Sequence, residues 1–483
     1  MLFANKLGAS SLVGLASVIS LPLHAGESET RLEKTPNIIL IYLDDMGYGD
    51  LEITGAYGYE TPNLNKMVSQ GMFFSNFYAP QAVCSPSRAG LMTGCYPSRV
   101  GFGTNVGPNS NRGLSSDEMT IAGLLKQKGY KTAIYGKWHL GHQEPFLPTR
   151  HGFDEFYGIP YSNDMWPLHP AGPDRFPDLP LIENKQVVNP AVTPDDQKQF
   201  TTVFTERTID FIERNKNEPF FVYLPHPMPH VPLYVSDKFK GKSEMGLYGD
   251  VMMEIDWSVG EIMKTLKKLN LEDNTLLIFT SDNGPWFNYG DHAGSAGGLR
   301  EGKAGTFEGG QRVPAIMMWK GVIPEGTVCN NIASAIDILP TVASITGAPL
   351  SRNKIDGVDI FPLMQGNFKA NPREVFYYYY RANSLQAVRY NNWKLVFAHV
   401  GRTYEGFEPG RDGNPGGVNN NFNFPKALYD LRRDPGERYD LIEFYPEIVE
   451  KLEEIAMKAR EDLGDDLREM PGKNRREQGR LVE

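Results

Sequence analysis

Four short apolar runs constrain the fold of this 483-residue chain more than any other feature. They are rich in Ile, Leu, Val and aromatic residues, and they lie at 37–43, 132–135, 220–224 and 275–280. Continuous runs of this kind are typical of strands buried on both faces of a parallel sheet. Helical stretches such as 120–128 and 248–269 separate them, and this alternation predicts a doubly wound α/β domain.

The character of the sequence changes near residue 371. Short aromatic strands and one helical stretch follow, at 374–380, 386–390, 393–397 and 446–462. They predict a small antiparallel sheet packed with one helix. The stretch 401–424, dense in Gly and Asn, predicts an excursion loop without core-forming residues. We therefore expect a large α/β domain over 26–370 and a C-terminal α+β subdomain over 371–483.

The N-terminus has the pattern of a secretory signal peptide. Lys6 supplies a positive charge, an apolar run covers 12–23, and Ala25 ends a small-residue cleavage site. The pattern predicts a signal peptide over 1–25 and a secreted or periplasmic protein; a buried N-terminal helix is the alternative. No later stretch is long and apolar enough to span a bilayer, so we expect no stable membrane insertion after signal removal.

The charge and the cysteines narrow the function classes. A net charge of −10 argues against a nucleic-acid-binding surface, although a small cationic pocket for one anionic group is compatible with it. Three cysteines are too few for a disulfide framework, and a Cys95–Cys329 bridge is one option. Cys84 lies in a polar, proline-containing segment, where an unpaired thiol in an exported chain is a liability unless its chemistry is used.

Paired oxygen ligands follow two of the predicted strands. Asp44-Asp45 ends the first and Asp282-Asn283 ends the last. Such pairs are also common in turns. Because ligands gather at the carboxyl ends of parallel strands, and because clustered carboxylates repel one another unless a cation neutralises them, the two pairs together predict a site for Ca²⁺ or Mg²⁺.

The segment around Cys84 reads as the start of a helix. Pro86 favours a first turn there, and Arg88, four residues after the cysteine, lies on the same helix face. A helix N-terminus with an arginine makes an anion pocket. On these grounds alone, Cys84 is either a reactive thiolate or a buried structural cysteine.

The ordered motifs resemble the type I, formylglycine-dependent sulfatase family. They are CSPSRAGLMTG at 84–94, GKWHLG at 136–141, PHVP at 229–232, SDNG at 281–284, GK at 302–303, FEGG at 307–310 and LYDL at 428–431. The region 136–164 is most similar to the arylsulfatase A and galactosamine-sulfatase branch. The resemblance implies an alkaline-phosphatase-like fold and a hydrolase of sulfate esters.

The family pattern also implies the cofactors. Asp44, Asp45, Asp282 and Asn283 would bind Ca²⁺, with Mg²⁺ the lesser option, and residue 84 would complete the shell after conversion of Cys84 to formylglycine. The hydrated formylglycine would be the nucleophile toward sulfur. Its formation implies a formylglycine-generating enzyme as a maturation partner, acting on the unfolded chain.

Further roles carry over motif by motif. Arg88 and Lys137 would anchor the formylglycine, and His139 would remove a proton so that sulfate is released. Lys137 and His139 are two apart on what should be an extended segment, so both side chains should point to one face. His230 and Lys303 would hold the sulfate and the ester oxygen, with His230 the proton donor. A family position that contacts the sulfate matches Ser162.

The substrate is less constrained by the sequence. Trp166, Trp286 and Arg300 flank the motifs and would form an aromatic, charge-reading rim, although surface aromatics are more often packing residues. We expect a sulfated carbohydrate or an aryl sulfate ester. The alternatives are a phosphonate or phosphate diester hydrolase of the same superfamily and a non-catalytic sulfated-glycan-binding protein. The oligomeric state is left open.

Overall fold

The computed structural model describes residues 35–481. The predicted signal peptide at 1–25 lies outside these residues. The strands in chain order are β1 (Asn37–Leu43), β2 (Met72–Tyr78), β3 (Arg112–Gly113), β4 (Lys131–Lys137), β5 (Glu155–Ile159), β6 (Leu181–Glu183), β7 (Gln186–Asn189), β8 (Phe220–Pro225), β9 (Thr275–Ser281), β10 (Arg312–Met318), β11 (Thr327–Cys329), β12 (Ala333–Ser334), β13 (Val375–Tyr380), β14 (Ser384–Tyr390), β15 (Trp393–Val396), β16 (His399–Thr403), β17 (Asn419–Phe424), β18 (Ala427–Asp430) and β19 (Gly479–Arg480). The α-helices are α1 (Pro62–Ser69), α2 (Cys84–Thr93), α3 (Ile121–Lys126), α4 (Pro194–Arg214), α5 (Gly246–Lys268), α6 (Glu308–Gln311), α7 (Ile338–Thr346), α8 (Phe361–Met364) and α9 (Pro446–Leu463).

A large mixed sheet organises the molecule, in the order β11-β2-β10-β9-β1-β8-β4-β5-β6-β7, with β12 also paired to β2. The central strands β9, β1, β8, β4 and β5 are parallel, and the antiparallel pairs lie toward both edges. The four apolar runs of the sequence are the strands β1, β4, β8 and β9, and each is buried almost throughout because helices cover both faces.

Alternate residues of β1 show the two covering layers. Ile39 and Ile41 lie in the hydrophobic core that also contains residues of α1, α4 and α5. Tyr42 points the other way, and its hydroxyl lies 3.1 Å from Oγ of Ser87 in α2. Successive strand residues face opposite sides of a sheet, so a strand buried between two helical layers must be apolar along its whole length. The α/β prediction is confirmed.

The C-terminal part forms the predicted antiparallel sheet, in the order β13-β14-β15-β18, with α9 packed against it. Its core also takes in Tyr78, Tyr96 and Phe307 from the larger part. The two sheets therefore share one hydrophobic boundary.

The segment 401–424 differs from the sequence expectation. It contains most of the β16–β17 hairpin, and Phe424 is buried in the second core, where its ring lies 4.8 Å from that of Phe307. The expectation of a loop without core-forming residues was wrong because strand pairing carries one aromatic residue of this polar stretch into the core.

Cys84, Cys95 and Cys329 are free and buried, so the Cys95–Cys329 bridge is not formed. Within residues 35–481, no helix combines the length and the apolar character that a membrane crossing requires.

Candidate active site

The tips of β1 and β9 place two acidic segments side by side. The strands are adjacent, parallel and in register, with Leu43 opposite Ser281. The next residues are Asp44 and Asp282, and the backbone N–H of Asp282 donates to the carbonyl of Leu43 at 3.0 Å. The predicted convergence of these side chains follows from the pairing of the two strands, and all of them are buried.

Helix α2 brings Cys84 and Arg88 to the same place. The helix begins at Cys84, whose Sγ lies 3.3 Å from Oδ1 of Asp44. One turn later, Arg88 donates to Oδ2 of Asp44 at 3.1 Å and to Oδ2 of Asp282 at 2.9 Å. A side chain at each end of the first turn therefore contacts the tip of a strand, because residues four apart share a helix face.

Two lysines neutralise the two aspartates that follow β1. Lys137, the last residue of β4, contacts Asp44 and donates to Oγ of Ser162 at 3.0 Å. Lys303 lies 2.7 Å from Oδ1 of Asp45. Each carboxylate thus has a buried cation beside it, which offsets part of the desolvation cost of both groups.

His230 faces the same cluster through one nitrogen. Its Nδ1 lies 2.6 Å from the carbonyl of Val231, so this nitrogen donates and Nε2 is the atom that faces Oδ2 of Asp45, at 3.6 Å. Burial lowers the pKa of His230, and the positive charge of Lys303 lowers it further, whereas Asp45 opposes the change. Histidine is therefore mainly neutral here at pH 7.

His139 is buried beside this cluster with no hydrogen-bond partner at either ring nitrogen among the described residues. Burial, and then the charges of Lys137 and Arg88, hold its pKa well below the usual value, so the ring is neutral. The expected extended segment was wrong at this residue. Strand β4 ends at Lys137, and His139 has φ of +61°, a left-handed conformation that turns the chain.

The acidic groups have unequal proton affinities. Burial opposes ionisation of Asp44, but the charges of Lys137 and Arg88 help to hold its pKa well below the usual range. Burial and the charge of Asp44 raise the pKa of Asp282 to about 7, although Arg88 opposes the rise. Burial and the same Asp44 charge raise the pKa of the Cys84 thiol. A buried, protonated thiol is a poor nucleophile, which disfavours the reading of Cys84 as a reactive thiolate.

The cluster fits a hard divalent cation. Ligand atoms of Asp44, Asp45, Cys84 and His230 all lie within 4.8 Å of one another. Asn283 donates through Nδ2 to Oδ1 of Asp45 at 2.7 Å, while its buried Oδ1 has no partner among residues 35–481. Carboxylate and amide oxygens suit Ca²⁺ or Mg²⁺, and an unpartnered amide oxygen beside carboxylates is a ligand atom ready for such an ion.

The predicted rim residues lie in different places. Trp286 lies against the cluster, with Lys303 Nζ 4.3 Å from its ring centroid and His230 5.5 Å away. Trp166 is in the core rather than on the rim, 1% exposed and packed against Tyr234. Arg300 is also away from the cluster. It donates to Tyr429 and to the carbonyl of Glu437 and lies over the ring of Phe307.

Sequence reasoning missed residues that hold the segments of this cluster in place. The ring of Tyr42 lies 5.5 Å from the Arg88 guanidinium, and Tyr223 approaches the same group at 3.5 Å. Asn105 accepts from the backbone N–H of Ser85 at 3.1 Å and so satisfies a free donor at the start of α2. The sequence could have indicated Tyr42, because it lies two residues before Asp44 and so shares a face of the strand with it. Nothing in the sequence indicated Asn105, since its contact depends on a long connection.

Comparison with known proteins identifies the family. The Sulfatase profile matches residues 36–348, and the profile for the C-terminal region of aryl-sulfatase matches residues 371–477. N-acetylgalactosamine-6-sulfatase of Sus scrofa is 37% identical over 460 residues, 90% of this chain and 87% of that protein. Arylsulfatase A of Bos taurus is 38% identical over 439 residues, 86% and 85% of the two chains. The PsFucS1 sulfatase of Pseudoalteromonas sp. has 27% identity and a TM-score of 0.80, covering 92% of each chain.

Proposed function

Because this chain belongs to the sulfatase family and is a sulfuric ester hydrolase, we propose that it hydrolyses sulfate esters of a carbohydrate with a formylglycine at position 84 and Ca²⁺. One observation carries the proposal. Four oxygen-bearing side chains from two strand tips meet Cys84 and three buried cations in one cluster. A sulfate ester is an anion, and such a cluster offers both a nucleophile position and positive charge.

Asp44, Asp45, Asp282 and Asn283 would hold the ion, which supplies positive charge for the sulfate oxygens when bound. The formylglycine hydrate supplies a hydroxyl nucleophile at the position of Cys84 Sγ, 3.3 Å from Asp44. The Ser162 hydroxyl accepts a hydrogen bond from the Lys137 ammonium and would donate its own proton to a sulfate oxygen. Arg88, held by Asp44 and Asp282, would keep residue 84 in its orientation.

Two histidines would divide the proton transfers. His139 is neutral, and both of its ring nitrogens are without a partner among the described residues, which suits a base. His230 is the proposed acid toward the leaving oxygen. Its pKa is lowered in the free protein, and the negative charge of a bound sulfate ester would raise it and favour the protonated ring. Lys303, whose pKa is raised by Asp45 against the effect of burial, stays charged and would stabilise the leaving oxygen.

The carbohydrate substrate rests on the relative named N-acetylgalactosamine-6-sulfatase. Export through a signal peptide at 1–25, and the division of the mature chain into 26–370 and 371–483, belong to the same proposal. N-terminal sequencing of the exported protein would give a start near Gly26; retention of residues 1–25 would contradict export by this route.

Sulfate release from desalted sulfated saccharides, measured by ion chromatography, tests the activity. Cys84→Ser should lose turnover by more than about a thousandfold, because serine is not converted by the same oxidation and its hydroxyl is a weak nucleophile. Cys329→Ser, in the edge strand β11, is the matched control and should retain activity. Mass spectrometry of the peptide with residue 84 should show the aldehyde or its hydrate. A free thiol in fully active protein would refute the nucleophile.

Matched phosphate esters in the same assay test the alternative that the protein is a phosphonate or phosphate diester hydrolase. Faster cleavage of phosphate or phosphonate diesters than of sulfate esters would contradict a sulfatase preference. Saccharide binding without any turnover by protein that carries the aldehyde would favour a binding protein instead.

A further inference from the structure

Two arginines of the C-terminal part are half-buried and contact the same residue, Asn420. Arg402 in β16 donates through Nε to Oδ1 of Asn420 at 2.7 Å, and Arg381, just after β13, donates to the backbone carbonyl of the same residue. Across residues 35–481, neither guanidinium forms an ion pair with a carboxylate. Both side chains are partly buried, where an uncompensated charge is unfavourable. In a chain with a net charge of −10, this arrangement is ready for an anion from outside the protein.

Arg402 lies next to the segment that carries Lys303. Its NH1 is 3.5 Å from the hydroxyl of Tyr404, and that hydroxyl donates to the carbonyl of Lys303 at 2.6 Å. Glu301, two residues before Lys303, accepts from the Thr403 hydroxyl at 2.6 Å. These contacts fix β16 to the catalytic segment, so the position of Arg402 relative to Lys303 is set by hydrogen bonds on both sides.

Arg381 lies on the side of α2. The neighbouring Ala382 packs so closely on Gly103 that a Cβ on this glycine would come within 2.8 Å of the Ala382 Cα. Two residues after Gly103, the side chain of Asn105 accepts a hydrogen bond from the backbone N–H of Ser85. The turn that carries Arg381 therefore packs on the loop that caps the helix of Cys84.

The pKa of the Tyr380 hydroxyl depends on burial, on both arginines and on Lys303. Burial raises the pKa of Tyr380, the residue before Arg381, while the positive charges of Arg402, Arg381 and Lys303 oppose the rise. The hydrogen bonds give the same arrangement, since Arg381 and Arg402 both donate to Asn420 and the Tyr404 hydroxyl links Arg402 to the Lys303 carbonyl. In addition, Phe287, Tyr404 and Phe407 line a cleft of about 590 Å³ whose aromatic walls suit a sugar ring, and the Arg402 guanidinium lies 6.0 Å from the centroid of the Tyr404 ring.

We propose that Arg381 and Arg402 form a second anion site, which binds a carboxylate or a second sulfate on the same saccharide as the ester that is hydrolysed. This inference rests on the proposed function and names its substrate class as saccharides with two anionic groups. A guanidinium presents parallel N–H donors that match carboxylate and sulfate oxygens, which explains arginine at both positions.

Calorimetric binding in a Cys84→Ala background tests the site without turnover. One pair of probes is the disaccharide of uronic acid and 6-sulfated N-acetylgalactosamine, with its carboxyl-reduced form. The other pair is the 4,6-disulfated and the 6-sulfated monosaccharide. Arg381→Ala and Arg402→Ala should each weaken binding of the doubly charged member by about tenfold or more and leave the singly charged member within about twofold, because one charge-assisted hydrogen bond is lost.

Arg433→Ala is the matched control, since its side chain is 78% exposed in the same subdomain, and it should change neither affinity. Selective loss in either pair supports the site and identifies its anion as carboxylate or sulfate. An equal loss within both pairs, or no loss, would overturn the proposal. The two arginine variants are independent, so misfolding of one, detected by its melting temperature, leaves the other as the test. If protein that carries formylglycine at position 84 releases no sulfate, the proposed function is refuted. That result would not alter this binding comparison.

Discussion

Lys394→Met should destabilise the protein strongly, because Lys394 is a buried cation between two buried acids. Its Nζ lies 3.1 Å from Oε1 of Glu308 and 2.7 Å from Oε1 of Glu437, and it donates to the carbonyl of Thr306 at 2.9 Å. All three charged side chains are 0% exposed. Methionine keeps the volume and removes the charge, so two carboxylates remain in the interior with less compensation.

The size of the effect follows from these contacts. Loss of one partner of a buried ion pair costs about 3–5 kcal/mol. Unfolding entropy is about 2.1 cal/mol/K per residue, so a folded part of about 450 residues gives roughly 0.9 kcal/mol/K, and the melting temperature should fall by about 3–5 °C. Lys451→Met, an exposed lysine over the Tyr390 ring in the same subdomain, should lower it by less than about 1 °C.

The loss should also depend on pH. Burial raises the pKa of Glu437 to about 7 in the folded protein; Lys394 opposes the rise and Glu308 adds to it. Since the folded value lies above the unfolded value, the protonated acid favours folding at low pH, and this contribution is lost as pH rises through about 7. Without Lys394 the pKa rises further. The melting-temperature difference between variant and parent should therefore be larger at about pH 8 than at about pH 5.5. A difference below about 1 °C at the higher pH, or one independent of pH, would refute this reasoning.

Three further predictions concern the site and one helix. Chelation with EDTA should lower the melting temperature by several degrees and Ca²⁺ should restore it, because clustered carboxylates repel without a cation; an unchanged melting curve would contradict a bound metal. Trp286→Ala should lower kcat for sulfate release by about tenfold, since its ring packs against the Lys303 ammonium and the His230 ring, whereas Trp286→Phe should retain most activity; equal losses would contradict this role. Thr193→Ala should cost about 1 kcal/mol in chemical unfolding, because the Thr193 hydroxyl caps α4 through the N–H of Asp196, and Thr193→Ser should cost less.

The sequence predicts the parts of the site that depend on local periodicity and on strand adjacency. The apolar run before Asp44 predicted β1, and Pro86 predicted a helix that starts near Cys84; both are confirmed. The left-handed turn at His139 was missed because nothing in the local sequence marks it. The burial of Trp166 was also not predicted, since its contact with Tyr234 joins residues far apart in the chain.

The segment 401–424 is a second place where tertiary contacts, rather than the local sequence, decide the structure. Gly and Asn are poor strand formers, and composition alone favours a loop at 401–424. Pairing of β16 with β17, and the fit of Phe424 against Phe307, override that preference. Arg402 consequently occupies a defined position that only the tertiary structure reveals.

If Cys84 is converted to formylglycine as proposed, its burial makes the modification compete with folding. Cys84 is 1% exposed, so the proposed formylglycine-generating enzyme would have access to it only before the chain folds. The active fraction of any preparation would then equal the modification rate divided by the sum of the modification and folding rates. Growth at a temperature that slows folding more than modification should raise specific activity without any change in the amount of soluble protein.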